Sequence, residues 1–212
     1  MFNHKKRILV LAPHTDDGEF GAGGSIARFS EEKKEVFYVA FSIADKSVPD
    51  GMPKDILRKE VMEATNILGI TKNNLKIFNY PVREFPSHRQ DILEDMIILH
   101  DETDPDVVLL PSTNDTHQDH SIIREEGFRA FKKTSILGYE IPWNNLTFTT
   151  NGFIFFEKRH LDLKINALKC YTSQLGRNYV NEKFIRSLAI TRGAQIDAQF
   201  AEAYEIIRWV IK

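Results

Sequence analysis

The sequence lacks the features that crosslink a protein or anchor it in a membrane. Its 212 residues include 1 cysteine, Cys170, which excludes a disulfide framework and suits a reducing compartment. No apolar run approaches the roughly 20 residues that span a bilayer. The apolar stretch 8–12 is too short for a secretory signal, and no small-residue cleavage site follows it. We therefore predict a cytoplasmic protein without a membrane span.

An excess of charge of one sign is also missing. The chain has 28 Lys+Arg and 30 Asp+Glu, for a formal net charge of −2, whereas nucleic-acid-binding proteins usually carry a basic stripe. Hydrophobic residues make up 42% and charged residues 27%, which is typical of a globular protein, and the length is sufficient for a full core. We predict a globular protein with no nucleic-acid partner.

Short apolar runs alternate with helical patterns up to about residue 130. Strands are predicted at 8–12, 36–43, 75–80 and 106–111, and helices at 19–33, 53–68 and 91–101. This alternation predicts an α/β fold, with a Rossmann-like, doubly wound, mostly parallel sheet and helices on both faces.

The pattern is less regular over residues 131–212. A strand at 153–157 and helices at 161–175 and 182–190 are predicted, whereas 201–209 fits either a helix or a strand. No linker or internal repeat separates the two parts, so residues 1–212 are predicted to form a single domain.

Two polar clusters follow the first strand and the strand at 106–111. The first contains His14, Asp16 and Asp17, and the second is the segment 114–120. Because ligands of open α/β sheets bind beyond the carboxyl ends of the strands, we expect the two clusters to meet. The glycines of the first cluster do not follow the order of a nucleotide-binding loop, and the paired aspartates would repel a phosphate. The clusters are therefore predicted to bind a cation.

Histidine and carboxylate side chains are suitable zinc ligands, and a catalytic zinc keeps three protein ligands and one open position. His14 and Asp17 lie three residues apart at a loop-to-helix entry, and His120 would complete the set from the neighbouring strand end. Asp16 then remains beside the metal, where it can take a proton from the attacking water. His117, oriented by Asp119, would stabilise an oxyanion or protonate a leaving group.

Two other functions fit some of these residues. His14 and Asp16 with His120 match the two-histidine, one-carboxylate set of a non-haem iron oxygenase. The strand–helix alternation, however, is against the all-β barrel of the oxygenases that carry a His-x-Asp pair. A non-catalytic relative that binds a metal or a glycan would keep the pocket without needing Asp16 or His117. Since both are present, an enzyme is preferred.

The two clusters resemble the motifs of the LmbE-like (PIG-L) metal-dependent de-N-acetylases. Weaker matches follow in order along the chain at 58–60, 104–108, 164–169 with 173–174, 192–193 and 201–204. The resemblance implies a zinc hydrolase that removes the acetyl group from an N-acetylated amino sugar or glycoconjugate, with iron(II) as an alternative metal in the cell. It implies the same roles for the ligands His14, Asp17 and His120, for the base Asp16, and for His117 with Asp119.

The resemblance also implies that Arg58 contacts the substrate, and it is compatible with a homo-oligomer. Independently of it, Tyr139 and Trp143 lie in an aromatic, acidic loop. This loop is expected either to stack on a sugar ring or to pack against the edge of the fold.

Overall fold

A computed structural model of the protein describes residues 6–174, 176–177 and 181–211. In this part of the chain, seven strands form one sheet and six α-helices cover its faces. The strands are β1 (Arg7–His14), β2 (Glu35–Ser42), β3 (Leu75–Ile77), β4 (Val107–Pro111), β5 (Ser135–Tyr139), β6 (Gly152–Phe156) and β7 (Phe200–Arg208). The helices are α1 (Asp17–Glu31), α2 (Ile56–Ile67), α3 (Arg89–Thr103), α4 (Gln118–Ala130), α5 (Lys158–Lys169) and α6 (Glu182–Ala194).

The sheet has the strand order β3-β2-β1-β4-β5-β7-β6. Strands β3, β2, β1, β4 and β5 run parallel, whereas β7 is antiparallel to both of its neighbours. The predicted doubly wound, mostly parallel α/β fold is confirmed. Since β1 continues to β2 on one side and pairs with β4 on the other, the loops after β1 and β4 leave the sheet at its switch point, where such folds bind ligands.

Two apolar layers enclose the sheet, because alternate residues of its central strands face opposite sides. In β1, Ile8 and Val10 pack on the side of α1, α2, α5 and α6, whereas Leu9 and Leu11 face α3 and α4. All four of these side chains are fully buried. Apolar area removed from water stabilises a fold by roughly 25 cal/mol per Å². Because β1 is buried on both faces, its carboxyl end, which carries the first polar cluster, is held in a fixed position.

Helix α1 packs unusually close to its neighbours because glycines line one of its faces. A Cβ atom at Gly21 would collide with the ring of Tyr139, and one at Gly24 would collide with Phe156. Tyr139 is fully buried, and its hydroxyl donates to the carbonyl oxygen of Leu11 at 3.0 Å. The prediction that Tyr139 stacks on a sugar is therefore wrong, because its ring forms the surface on which α1 rests.

The ends of most predicted elements shift by a few residues, and three elements are revised further. β3 ends at Ile77 rather than at residue 80, although the next residues still bond to β2 through backbone amides. The helix predicted at 161–175 begins earlier, at Lys158, where a capping box between Glu157 and His160 starts it, and α5 ends at Lys169. Residue 175 lies outside the described residues. The ambiguous segment 201–209 is part of a strand, because β7 pairs with a strand on each side.

None of the helices within the described residues is long and apolar enough to cross a membrane.

Candidate active site

The two polar clusters meet at the switch point of the sheet, as their positions predicted. His14 is the last residue of β1, and Asp17 is the first residue of α1. His117 caps the start of α4, and His120 lies in the first turn of that helix. Asp17 and His120 are buried, whereas Asp16 and His117 are partly exposed. The turn after β1 and the start of α4 therefore bring the predicted residues together.

Three donor atoms form a small triangle. Asp17 Oδ2 lies 3.1 Å from His14 Nδ1 and 3.2 Å from His120 Nε2, and the two nitrogens are 3.3 Å apart. Ligands of a tetrahedral zinc at about 2.0–2.1 Å stand about 3.3 Å from one another. These three residues therefore fit one face of a tetrahedral zinc site and leave the fourth position open.

A carboxylate stands behind each histidine of the triangle. Asp119 Oδ2 lies 3.0 Å from His14 Nε2, and Asp115 Oδ2 lies 2.7 Å from His120 Nδ1. Since an ionised carboxylate only accepts, each of these ring nitrogens carries the proton and donates it. The lone pairs of His14 Nδ1 and His120 Nε2 are thereby left at the triangle. Such carboxylate–histidine pairs fix the ring and raise the basicity of a metal ligand.

The electrostatics of the triangle also favour a cation. Burial would lower the pKa of His120, but Asp17 and Asp115 outweigh it and raise that pKa to about 10. Burial opposes ionisation of Asp17, yet the charges of His120 and His14 hold the pKa of Asp17 well below its usual range. The carboxylates thus attract positive charge into a buried site, where a divalent ion can supply it in place of protons.

The placement of Asp119 corrects one predicted role. In the described part of the chain, its carboxylate bonds to His14 and to the backbone amides of Arg83 and Phe85, at 2.6 Å and 3.3 Å for the two amides. His117 is instead held by the backbone: its Nδ1 accepts from the amide of Asp119 at 3.2 Å. The Asp119 carboxylate does not orient His117, because the first turn of α4 directs it toward β1.

His117 is a neutral hydrogen-bond donor in this arrangement. Burial lowers its pKa to about 4, and the charges of His120 and His14 act in the same direction. Because Nδ1 accepts from a backbone amide, the proton of the neutral ring is on Nε2. Donor atoms of His14, His117 and His120 also lie within 4.8 Å of one another, so a second possible ligand set consists of these three histidines.

Asp16 lines a cavity above the triangle. Burial raises the pKa of Asp16 to about 6, and the adjacent charge of Asp17 adds to the shift, whereas His14 and Arg177 oppose it. Its side chain makes no capping bond to α1. A carboxylate with a raised pKa beside a metal site is suited to general-base chemistry near neutral pH.

The cavity has a volume of about 320 Å³, within the range of small-molecule sites. Of the predicted substrate contacts, Trp143 lines it and is 39% exposed. Arg58 does not line it, because its guanidinium donates to Asn79 Oδ1 at 2.5 Å. Arg83 and Arg177, which were not predicted as site residues, also line the cavity. Both come from loops far from the two motifs, so motif spacing gave no signal for them.

Two sequence segments that resemble family motifs act as supports. Glu60 of α2 accepts from the Ser173 hydroxyl at 2.6 Å and from the Ser173 amide at 2.9 Å. Lys164 of α5 donates to Glu202 at 2.6 Å, inside the packed layer next to α1. These contacts join the C-terminal part of the chain to the elements that carry the first cluster.

We expect Asp119→Asn and Asp115→Asn each to weaken zinc binding by about 10- to 100-fold, the usual effect of losing an orienting carboxylate. Zinc affinity measured by competition with a chromogenic chelator checks this. Asp101→Asn is a matched control, because Asp101 is exposed and bonds to His100, which does not line the cavity. Wild-type affinity in both test variants would contradict the orienting roles.

Behind the site, Glu19 is a fully buried carboxyl. The hydroxyls of Tyr38 and Tyr171 lie against its two oxygens and also against the carbonyl oxygen of Thr15. Burial raises the pKa of Glu19 from about 4.5 to about 8, although the two hydroxyls oppose the shift. The folded protein therefore retains a proton on Glu19 over a pH range in which the unfolded chain has lost it.

Stability is consequently expected to fall as pH rises from about 4.5 to about 8, because the folded state binds more protons in that window. Glu19→Gln should remove this component. Urea unfolding of metal-free protein at pH 5.5 and 8.5 measures it, with exposed Glu63→Gln as the control. Equal losses of stability in wild type and Glu19→Gln would contradict the assignment.

The chain is similar to known proteins over most of its length. A family model described as PIG-L: GlcNAc-PI de-N-acetylase matches residues 9–131, more than half of the chain. The diacetylchitobiose deacetylase of Thermococcus kodakarensis is 23% identical over 231 residues, which cover 97% of this chain and 85% of that protein.

Solved structures share the fold. The N,N'-diacetylchitobiose deacetylase of Pyrococcus horikoshii, in complex with its inhibitor MPG, has a TM-score of 0.80 and 25% identity, with 97% of this chain and 85% of that chain covered. GalB, a 4-carboxy-2-hydroxymuconate hydratase of Pseudomonas putida, has a TM-score of 0.79 at 20% identity and covers 98% of each chain. Since a hydratase has this fold too, the fold alone does not define the reaction.

Proposed function

Because the chain belongs to the PIG-L de-N-acetylase family, we propose that it hydrolyses the acetamide of an N-acetylated amino sugar or glycoconjugate. The products are acetate and a free amine. The observation that carries the proposal is the triangle of His14, Asp17 and His120, with Asp16 and His117 beside it at one cavity. The activities of the diacetylchitobiose deacetylases support the amino-sugar substrate class.

We assign zinc binding to His14, Asp17 and His120. The donor distances fit zinc, and two further carboxylates hold the histidine rings in the required tautomers. Zinc in such a site polarises a carbonyl group and lowers the pKa of water to about 7. With three protein ligands such an ion would have room to bind substrate, whereas a purely structural zinc is usually closed by four protein ligands.

Asp16 acts as the general base in this proposal. Its carboxylate lines the cavity next to the triangle, and its raised pKa, about 6, is close to the pH at which the enzyme would work. It takes a proton from the water that attacks the acetamide carbon. A base whose pKa is near the working pH is substantially deprotonated and still binds a proton strongly.

His117 stabilises the negative charge that develops on the acetamide oxygen. Its neutral ring carries the proton on Nε2, and the backbone amide of Asp119 fixes that tautomer. A preorganised donor of this kind stabilises the tetrahedral arrangement without reorganising during the reaction. Asp16, which has received the proton from water, would then donate it to the leaving amine.

The test is a paired measurement on purified protein. Zinc and iron content are determined by elemental analysis, and acetate release is measured with N-acetylglucosamine, its phosphates and diacetylchitobiose. We expect near-stoichiometric zinc and acetate release that a chelator abolishes and added zinc restores. Bound zinc without acetate release would favour the non-catalytic binding relative, and no metal after reconstitution would reject the metalloenzyme. Dioxygen consumption would instead indicate an iron oxygenase.

The cytoplasmic location and the homo-oligomer remain predictions from the sequence. Fractionation of cells and light scattering of the purified protein test them directly.

A further inference from the structure

Two arginines line the catalytic cavity, and the proposed reaction uses neither. Arg83 comes from the loop between β3 and α3, and Arg177 comes from the segment between α5 and α6. The only other charged side chains on the described lining, apart from histidines, are Asp16 and Asp17. Both aspartates have assigned roles at the metal site. Two basic residues therefore line the cavity beside the metal site.

The loop holds Arg83 in an uncommon backbone conformation. Its φ is 70°, in the left-handed region where glycine is favoured over residues with a side chain. The Arg83 amide donates to Asp119 Oδ2 at 2.6 Å, and the Phe85 amide donates to Asp119 Oδ1 at 3.3 Å. The strained residue is thus fixed to the carboxylate that also holds His14. Backbone strain of this kind clusters at ligand-binding sites.

No described carboxylate neutralises the Arg83 side chain. The adjacent Glu84 pairs with Lys46 instead. The Arg83 side chain is exposed, whereas other arginines such as Arg192 and Arg186 pair with carboxylates. Arg83 therefore lines the cavity with its guanidinium available to an incoming anion.

We propose that the substrate is an acetamido sugar that carries an anionic group, a phosphate or a carboxylate, and that Arg83 and Arg177 bind this group. The inference rests on the proposed deacetylase function and specifies its substrate. The planar guanidinium fork matches the paired oxygens of both kinds of anion. The zinc site holds the acetamide, and the arginines hold the opposite part of the same molecule, so the anion determines which acetamide is presented to Asp16.

The experiment compares kcat/KM for acetate release from neutral N-acetylglucosamine and from three anionic derivatives. These are its 1-phosphate, its 6-phosphate and N-acetylmuramic acid, which carries a carboxylate. A charged hydrogen bond contributes about 1.5–3 kcal/mol, so we expect roughly 10- to 100-fold preference for at least one anionic substrate. The preferred member of the set identifies phosphate or carboxylate as the group. Added salt should reduce the preference, because it screens exposed charges.

Arg83→Gln should abolish most of that preference. Arg177→Gln should reduce it as well, but Arg177 also acts on the charge of Asp16, so Arg83 is the cleaner test. Lys132→Gln is the control: it removes the same charge from an exposed residue that does not line the cavity. We expect wild-type activity and preference in this control.

A calorimetric titration with glucosamine 6-phosphate and with glucosamine separates the two hypotheses. Equal kcat/KM for neutral and anionic substrates, or a preference that survives in Arg83→Gln, would overturn the inference and leave the deacetylase standing. If no substrate releases acetate, phosphate-dependent binding that Arg83→Gln removes would retain the anion site and reject the reaction. If there is neither acetate release nor phosphate-dependent binding, the deacetylase function and the anion site are both rejected.

Discussion

Asp16→Asn is expected to lower acetate release by about 100-fold or more while zinc content stays at the wild-type level. The amide side chain has the size of the carboxylate but cannot accept the proton of the attacking water. Asp16 lines the cavity beside the ligand triangle without being part of it, so its loss should not weaken metal binding. The measurement combines kcat for acetate release with zinc content of the same preparation.

The adjacent residue provides the comparison. Asp17→Asn removes the carboxylate that both histidines approach, at 3.1 and 3.2 Å, and should lose zinc together with activity. The same substitution is thus expected to leave zinc bound when it is made at Asp16 and to remove zinc when it is made at Asp17. Full activity in Asp16→Asn, or loss of zinc from it, would show that the roles of the two aspartates are wrongly divided.

His120→Ala is expected to lose the metal and all acetate release above background. His120 is buried, and its Nε2 faces both Asp17 and His14. Without it, only two of the three donors remain, and Asp115 loses the ring nitrogen to which it is bonded. Elemental analysis after dialysis against zinc measures the loss, and circular dichroism establishes whether the variant is folded. His100→Ala, at a histidine remote from the cavity, is the control.

His117→Ala distinguishes the two possible ligand sets. If His14, Asp17 and His120 hold the zinc, this variant should keep its metal and lose about 10²- to 10³-fold in kcat, the usual effect of removing an oxyanion donor. If the three histidines hold it, zinc should be lost in this variant and retained in Asp17→Asn. Because these two outcomes exclude each other, the pair of variants remains informative even if His120→Ala does not fold.

Much of the site was predictable because of where parallel strands end. The first cluster directly follows the buried run of β1, and the second follows β4, so sheet topology alone brings His14 and His120 to one point. The role of Asp119 was not predictable in the same way. Its proximity in sequence to His117 suggested a pair, but side chains two residues apart at a helix start point in different directions.

The C-terminal part was harder to predict because its structure depends on distant partners. β7 has alanines and glutamates that favour helices, yet it lies between β5 and β6, and pairing on both sides outweighs that propensity. Tyr139 was expected at a loop because aromatic and acidic residues follow it. Its ring instead fills the space that Gly21 leaves, a complementarity between residues far apart in sequence.

The Asp119 carboxylate links the proposed metal ligand His14 to the loop that carries Arg83, so we expect backbone exchange in that loop to depend on bound metal. One oxygen, Oδ2, accepts from both His14 Nε2 and the Arg83 amide. When metal fixes His14, it also fixes this oxygen, and opening of the 81–85 loop becomes costlier. Hydrogen–deuterium exchange at the Arg83 amide is therefore expected to slow when zinc is added, whereas exchange in the β6 strand should not change. The loop that would select the substrate is therefore expected to open less often in protein that carries its metal.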